Sequence, residues 1–275
     1  MKMEKISRRS FLKAVGLTAV SVASAGIMAG CGGNKDMTDA EYIQDKGTLV
    51  IGMTIYPPMN YYDDSGKLVG FDTELAEAVC AKLNLTAQFQ EIEWNSKVTE
   101  LNAKNIDVIW NGMTVTEELG VSIDFSTSYS ENVQVCVINE KNAATFTGVD
   151  AINADGVVVA AEAGSAGEAA ASENFPNAEL LPVTAQRDCF MELKSGTVDV
   201  AVIDRTMAAA STGAGTSYED LMTIEGLELT HEEFAIGLRK GSDFTALLND
   251  TLADLVEDGT VAAIAAKYPT VAVTL

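Results

Sequence analysis

The sequence predicts an α/β protein of two lobes joined by two crossover strands that form a hinge. Three observations carry that expectation. From Thr48 onward, apolar, β-rich runs at 48–53, 106–110, 133–138, 157–161, 198–203 and 234–238 alternate with segments of helical spacing, and a run at 86–92 alternates more visibly. Near-continuous apolar strands set between helices predict parallel sheets with helices on both faces. The series then breaks: the strand at 133–138 meets the polar stretch Asn139-Glu140-Lys141-Asn142, a fresh strand-helix series runs from 157 to about 222, and Phe234-Ala235-Ile236-Gly237-Leu238-Arg239-Lys240-Gly241 reads as a return. This divides the chain into a first lobe of 46–138 with 231–275 and a second of 139–230. Ligands of open α/β sheets sit beyond the carboxyl ends of the strands, and hinged lobes close over them.

Individual elements follow from spacing. Leu75, Val79 and Leu83 repeat every four residues behind Asp72, which is placed to cap a helix. Phe190, Met191 and Leu193 mark another helix, ended by Gly196. Neither internal repeats nor low-complexity blocks occur.

The first thirty residues have a separate role. Residues 1–13 carry Lys2, Lys5, Arg8, Arg9 and Lys13 against one acid, Glu4, and residues 14–30 carry no charge. A basic start, a short apolar centre and small residues at a cut form an export signal. Seventeen uncharged residues rich in Gly and Ser make a poor membrane span, which needs about 20 strongly apolar ones. Met28-Ala29-Gly30-Cys31 resembles the lipobox of bacterial lipoproteins, whose cysteine is lipidated and becomes the new N-terminus; Met28 stands where such boxes usually carry Leu. Ser7-Arg8-Arg9-Ser10-Phe11-Leu12-Lys13 resembles the twin-arginine signal, so two export routes stay open. The expected location is the extracytoplasmic face of the cell membrane, with a lipid anchor on Cys31 and residues 31–45 as a tether.

Removing this segment of net charge +4 leaves 245 residues and takes the formal charge from −22 to −26. Such a balance leaves no basic surface for phosphates and excludes nucleic acid as a partner. Cys80, Cys136 and Cys189 lie far apart in apolar runs, which predicts buried free thiols rather than disulfides or a metal centre. His231 is the single histidine, beside Glu232 and Glu233, and reads as a surface residue. No catalytic group, metal or cofactor is expected.

Several segments, in order along the chain, resemble the amino-acid-binding group of bacterial ABC-importer substrate-binding proteins (solute-binding protein family 3). They are Tyr56-Pro57-Pro58-Met59, Gly66-Lys67-Leu68-Val69-Gly70-Phe71-Asp72, Ile106-Asp107-Val108-Ile109, Gly112-Met113-Thr114-Val115-Thr116 and Asp124-Phe125-Ser126, followed by Gly196-Thr197-Val198-Asp199-Val200-Ala201-Val202-Ile203-Asp204 and Arg239-Lys240-Gly241-Ser242-Asp243. Each is weak singly, and together they are specific. The resemblance implies the type II periplasmic-binding-protein fold, a monomer that captures a small polar solute, an amino acid or analogue, and an ABC permease as its partner. It also implies ligand-binding roles. Tyr56 and Trp94 would sandwich the ligand side chain, with ordinary packing as the plain alternative. Gly112 and Thr114 would meet its backbone, with Asn111 and Trp110 nearby; Trp110 fits the pocket floor or the core equally. Asp204 would pair with its ammonium, or else cap the helix that starts at Arg205. Ser165 and Ala166, in Gly164-Ser165-Ala166-Gly167, would offer a helix start to its carboxylate, or form a plain turn. The family's usual carboxylate-gripping arginine falls on Leu119. Either Arg205 or Arg187 takes its place, or the solute is not a standard α-amino acid. Two rivals share the fold: a ligand-sensing receptor component, and a dehydratase or lyase using Glu162 or Asp204.

Overall fold

The computed structural model describes residues 37–275; the export signal, the lipobox and Cys31 lie outside the described residues. The described chain opens with the helix Asp39–Lys46. Thr38 and Glu41 cap it reciprocally, the Thr38 hydroxyl accepting from the Glu41 amide while the Glu41 carboxylate accepts from the Thr38 amide. Ile43 of this helix is fully buried and Asp39 is bound by Arg239 at 2.8 Å. The expected tether therefore stops short of 45: the capping box and the buried Ile43 fold its last turn onto the first lobe.

Two sheets follow. The larger runs Ala272–Val273, Ser130–Asn132, Glu232–Arg239, Val108–Thr114, Thr48–Met53, Thr86–Glu91, with Ile123–Phe125 also on Glu232–Arg239. The smaller runs Glu179–Val183, Val158–Glu162, Val200–Asp204, Gln134–Asn139, Leu221–Glu228. Each has a parallel core, as the apolar strands between helices predict, but the sheets are mixed rather than parallel throughout. Glu232–Arg239 is antiparallel to Val108–Thr114, and Gln134–Asn139 is antiparallel to Val200–Asp204. Both belong to the crossovers, which reach the sheets without an intervening helix and so enter against the parallel strands.

The strand expected at 133–138 pairs in the smaller sheet, so the first crossover falls at Val133 and not at 139. Asn132 pairs with Glu232 in the larger sheet, whereas Gln134 pairs with Asp204 in the smaller one. The return runs between Glu228 and Glu232 beside it: the Leu229 amide donates to the Gln134 carbonyl at 2.9 Å, and the Gln134 amide donates to the Thr230 hydroxyl at 3.2 Å.

Helix Phe71–Leu83 buries Leu75, Ala76 and Val79 in the larger core. Its residue Asp72 is not a cap. Gly70 takes the cap position, and Asp72 is buried with Oδ2 accepting from the Gly112 amide at 2.7 Å and the Tyr129 hydroxyl at 3.0 Å. Helix Asp188–Ser195 ends at Gly196, whose φ of 77° gives the left-handed stop its position suggests. Cys80, Cys136 and Cys189 are free and buried, and burial holds their thiols well above the usual range. His231 is exposed. Among the described residues no helix is long and apolar enough to cross a membrane.

Candidate functional site

Strand Val108–Thr114 leaves the larger sheet towards the smaller one, whose Val158–Glu162 and Val200–Asp204 end facing it. A cavity of about 470 Å³ lies where these strand ends meet, the place an open α/β sheet offers to ligands. Its volume suits a small solute. Tyr56, Trp94, Asn111, Gly112, Thr114, Ser165, Ala166 and Asp204 all line it. Trp110 does not: it is fully buried in the core of the larger lobe.

The lining residues differ in what they leave available. Tyr56 follows the first strand, is buried, and its hydroxyl has no hydrogen-bond partner among the described residues. Trp94 starts the short turn after Thr86–Glu91 and is likewise buried. Asn111 is committed internally, Oδ1 accepting from the Thr54 amide and hydroxyl and Nδ2 donating to the Thr54 carbonyl and Asn60 Oδ1. Gly112 sits at φ 56°, and a side chain there would meet Tyr56 Cε1 at 2.7 Å; glycine is what lets the tyrosine ring lie over the strand. The Gly112 amide is already bonded to Asp72, and the Thr114 hydroxyl donates to Glu232 Oε2 at 3.0 Å. These three residues shape the wall and leave few donors for a solute.

Ser165 caps helix Ala166–Asn174, its oxygen accepting from the Glu168 amide at 3.1 Å. The opening amides of a helix have no acceptor within it, so those after Ser165 face the cavity side of the turn with a positive field. Asp204 makes no cap bond to the helix Arg205–Ser211. Its carboxylate turns inward, with Oδ1 accepting from Asn132 Nδ2 at 2.5 Å and Gln134 Nε2 at 2.7 Å and Oδ2 from Gln186 Nε2 at 2.7 Å. Burial first, then the Glu232 charge, pushes its pKa up to about 7. Glu232 shares both amides, accepting from Asn132 Nδ2 at 3.3 Å and Gln134 Nε2 at 3.1 Å, so the two acids and two amides knit the crossovers beside the cavity.

Spacing and resemblance left out three lining residues that matter, Gln134, Gln186 and Lys97, and named a fourth, Glu162, only for the dehydratase or lyase rival. Glu162 is buried with Oε1 unpartnered, and burial, then the Asp204 charge, pushes its pKa up to about 8. Gln134 and Gln186 hold Asp204. Lys97 is buried, donating to the Gly164 carbonyl at 2.8 Å and the Trp94 carbonyl at 3.3 Å, and burial lowers its pKa to about 8. The available signal was its spacing: Lys97 and Leu101 are one helical repeat apart, and both are buried. The two arginines expected to replace the missing one stand elsewhere. Arg205 pairs with Glu228 at 2.6 Å and Arg187 with Glu91 at 3.5 Å, all four side chains being exposed, and neither arginine lines the cavity. Long guanidinium groups at these positions find carboxylates at the surface, where water keeps them charged without the cost of burial.

Residues 49–271 match the sequence profile of the bacterial extracellular solute-binding proteins, family 3. The chain belongs to that family. It is 28% identical to the L-cystine-binding protein TcyJ of Escherichia coli strain K12 over 228 residues, 82% of this chain and 84% of that one. It is also 28% identical to the arginine-binding extracellular protein ArtP of Bacillus subtilis strain 168, covering 81% and 86%. Among solved structures, the P235GK mutant of ArgBP from T. maritima superposes with a TM-score of 0.77 at 28% identity, over 84% of this chain and 98% of that one. The ancestral amino acid-binding protein AncCDT-1, a precursor of cyclohexadienyl dehydratase, gives 0.75 at 27%, over 84% and 99%. The fold of this family member is accordingly the two-lobe type II periplasmic-binding-protein fold.

Proposed function

We propose that this solute-binding protein captures an amino acid or close analogue in its interlobe cleft and delivers it to an ABC permease. One observation carries the reading: the cavity joins one ammonium, Lys97, four carboxylates, Glu118, Glu162, Glu168 and Asp204, and the aromatic side chains of Tyr56 and Trp94. A solute with both an ammonium and a carboxylate has partners for each charge, and the acidic excess favours one with further basic character. The names of relatives that bind arginine and cystine agree with that class. Tyr56 and Trp94 sandwich the solute, Asp204 receives its ammonium, Ser165 and Ala166 face its carboxylate, and Asn111, Gly112 and Thr114 form the wall. No bond is made or broken, so a bound solute is recovered unchanged. Calorimetry of the purified protein against L-amino acids, with mass spectrometry of anything co-purified, tests the reading; failure of every amino acid to bind at millimolar concentration refutes it.

The lobes, divided at Val133 and at 229–231, close about these crossovers as the solute binds, and the protein acts as a monomer. Small-angle scattering is expected to show a smaller radius of gyration with a bound amino acid than without, together with a raised melting temperature from mass action on the folded form. Equal dimensions in both states would exclude hinge closure. At the other end of the chain, the lipobox places a lipid on Cys31 at the extracytoplasmic face. A fatty-acid probe should label the protein in cells and Cys31→Ser should abolish the label, because acyl chains at the processed cysteine supply the two-signal anchoring that membranes require. Persistent labelling of the serine variant rules Cys31 out.

A further inference from the structure

We propose that Lys97 is the residue that holds the carboxylate of the bound solute, and that it thereby selects amino acids over the amines formed from them by decarboxylation. The inference rests on the amino-acid reading above and assigns a specificity role to a residue that the motifs do not include.

Lys97 is the only cation lining the cavity among the described residues. The residue is 5% exposed. An ammonium has three hydrogens to donate; two go to the carbonyls of Gly164 and Trp94, which leaves one. The ammonium also lies 4.8 Å from the centroid of the Trp94 ring, in the range of a cation–π contact. It makes no ion pair among the described residues.

Arg239, the other buried cation among the described residues of this lobe, is paired. It is as deeply buried, at 8% exposure, but it has Asp39 at 2.8 Å and Asp107 at 3.5 Å. Burying a charge without a counter-ion is costly, and carbonyl oxygens offset only part of that cost. Glu162, Glu118 and Glu168 act on the Lys97 charge from a distance and oppose the larger effect of burial. None of them forms an ion pair with it, so the ammonium keeps one donor for a solute in the cavity it lines.

Two neighbouring features narrow the acceptor of that donor to a carboxylate. Gly164 precedes Ser165, so the Lys97 ammonium is fixed one turn of chain away from the opening amides of the helix Ala166–Asn174. Lysine and helix start thus converge on one side of the solute. Leu119, also on the cavity wall, brings no charge. The carboxylates that do compete for Lys97 there are Glu118 and Glu168, and Glu168 is already engaged by the Gly164 amide at 2.7 Å. The carboxylates Glu162 and Asp204, one with an unpartnered oxygen, are left for the ammonium and other donors of the solute.

The rival account makes Lys97 a latch. Its bond to Gly164 links the segment following the larger sheet's edge strand to the smaller lobe, and a latch would help any ligand that closes the cleft. The two accounts separate when an amino acid is compared with its own amine. Calorimetry would measure wild-type protein, Lys97→Met and Lys97→Arg against a panel of L-amino acids with L-cystine, and against the matching amine of each that binds, agmatine for L-arginine and histamine for L-histidine. In Lys97→Met the amino acid should bind about 10- to 100-fold more weakly, the cost of a charge-assisted hydrogen bond, while its amine changes by less than about threefold or improves through loss of the lysine's repulsion. Lys97→Arg should keep the preference for the amino acid, and Leu119→Arg added to Lys97→Met should restore it. Equal weakening of amino acid and amine, or an unchanged preference in Lys97→Met, overturns the assignment while leaving the amino-acid reading intact. If Lys97→Met fails to fold by circular dichroism, Lys97→Gln is measured the same way and judged by the same ratio. Absence of binding by any amino acid to the wild-type protein removes the amino-acid reading itself, and the assignment with it.

Discussion

Asp204→Asn is expected to weaken binding of amino acids by about 10- to 150-fold, corresponding to the roughly 1.5–3 kcal/mol of a hydrogen bond to a charged group. The carboxylate is held by three side-chain amides, from Asn132, Gln134 and Gln186. An asparagine would turn one of its own N–H groups against these donors as well as losing the charge that attracts an ammonium. The same arrangement sets the pH dependence. Burial and the Glu232 charge raise the Asp204 pKa to about 7, against about 3.9 for an unfolded aspartate. Between those values the folded, empty protein holds a proton that the unfolded chain has released, so stability of the empty protein declines as pH rises through this window. Ammonium binding needs the ionised form and expels that proton, so affinity should increase from about pH 5 towards 7 with proton release on binding. Glu162, Glu232, Lys97 and Tyr56 also face this part of the site; Asp204→Asn should nonetheless flatten the acidic limb. Calorimetry in buffers of different ionisation enthalpy measures both effects. Affinity within about threefold of wild type, with an unaltered pH profile, would make Asp204 a strut of the crossovers only.

How far the sequence reveals this site depends on how each residue is placed. Tyr56, Asp204 and the segment Gly164-Ser165 follow strand ends, and strands announce themselves through continuous apolar runs. Positions one step beyond them can be assigned to the cleft from order alone. Gln134 and Gln186 carry no such mark, because a glutamine is important there only through Asp204, which is seventy residues away in the chain for one of them. Lys97 is harder still. A lysine ordinarily reads as solvated surface, and its burial emerges only when the smaller lobe brings the Gly164 carbonyl to it. The hinge shows the same limit. A polar break after residue 138 looks like a boundary, yet the strand before it belongs to the second lobe, since pairing with Val200–Asp204 and Leu221–Glu228 is a long-range choice that local composition does not encode. Asp72 illustrates the reverse error: an acid at a helix start fits a cap, whereas here burial and the Gly112 amide draw it into the sheet.

Arg239→Met is expected to destabilise the protein by about 3–5 kcal/mol, the range for removing one partner of a buried charge pair. Arg239 gathers several parts of the larger lobe. Its Nε donates to both Asp39 oxygens, at 2.8 and 3.0 Å, and Nη1 donates to the carbonyls of Ile106 at 2.8 Å and Leu101 at 3.2 Å. Nη2 approaches Asp107 at 3.5 Å. Asp107 is buried and keeps Lys46 and the Val50 amide as partners, so methionine would leave its charge partly balanced. The Ile106 carbonyl would lose the Arg239 donor, an unsatisfied buried group costing about 1–3 kcal/mol, while the Leu101 carbonyl would keep the Lys104 amide at 3.1 Å. Asp39 would keep the Ser242 hydroxyl at 2.7 Å but not its counter-ion, loosening the first helix from the end of the return strand. Methionine retains most of the apolar length of the arginine, so cavity formation adds little and the loss reports the polar contacts. Urea unfolding should therefore show a lower midpoint with an unchanged slope. Because Arg239 lies away from the cavity lining, the folded variant should bind its solute within about threefold of wild type, a change below the tenfold that 1.4 kcal/mol represents. A loss of stability under about 1 kcal/mol would place this cluster with ordinary surface ion pairs, and the first helix would then be held by the burial of Ile43 instead.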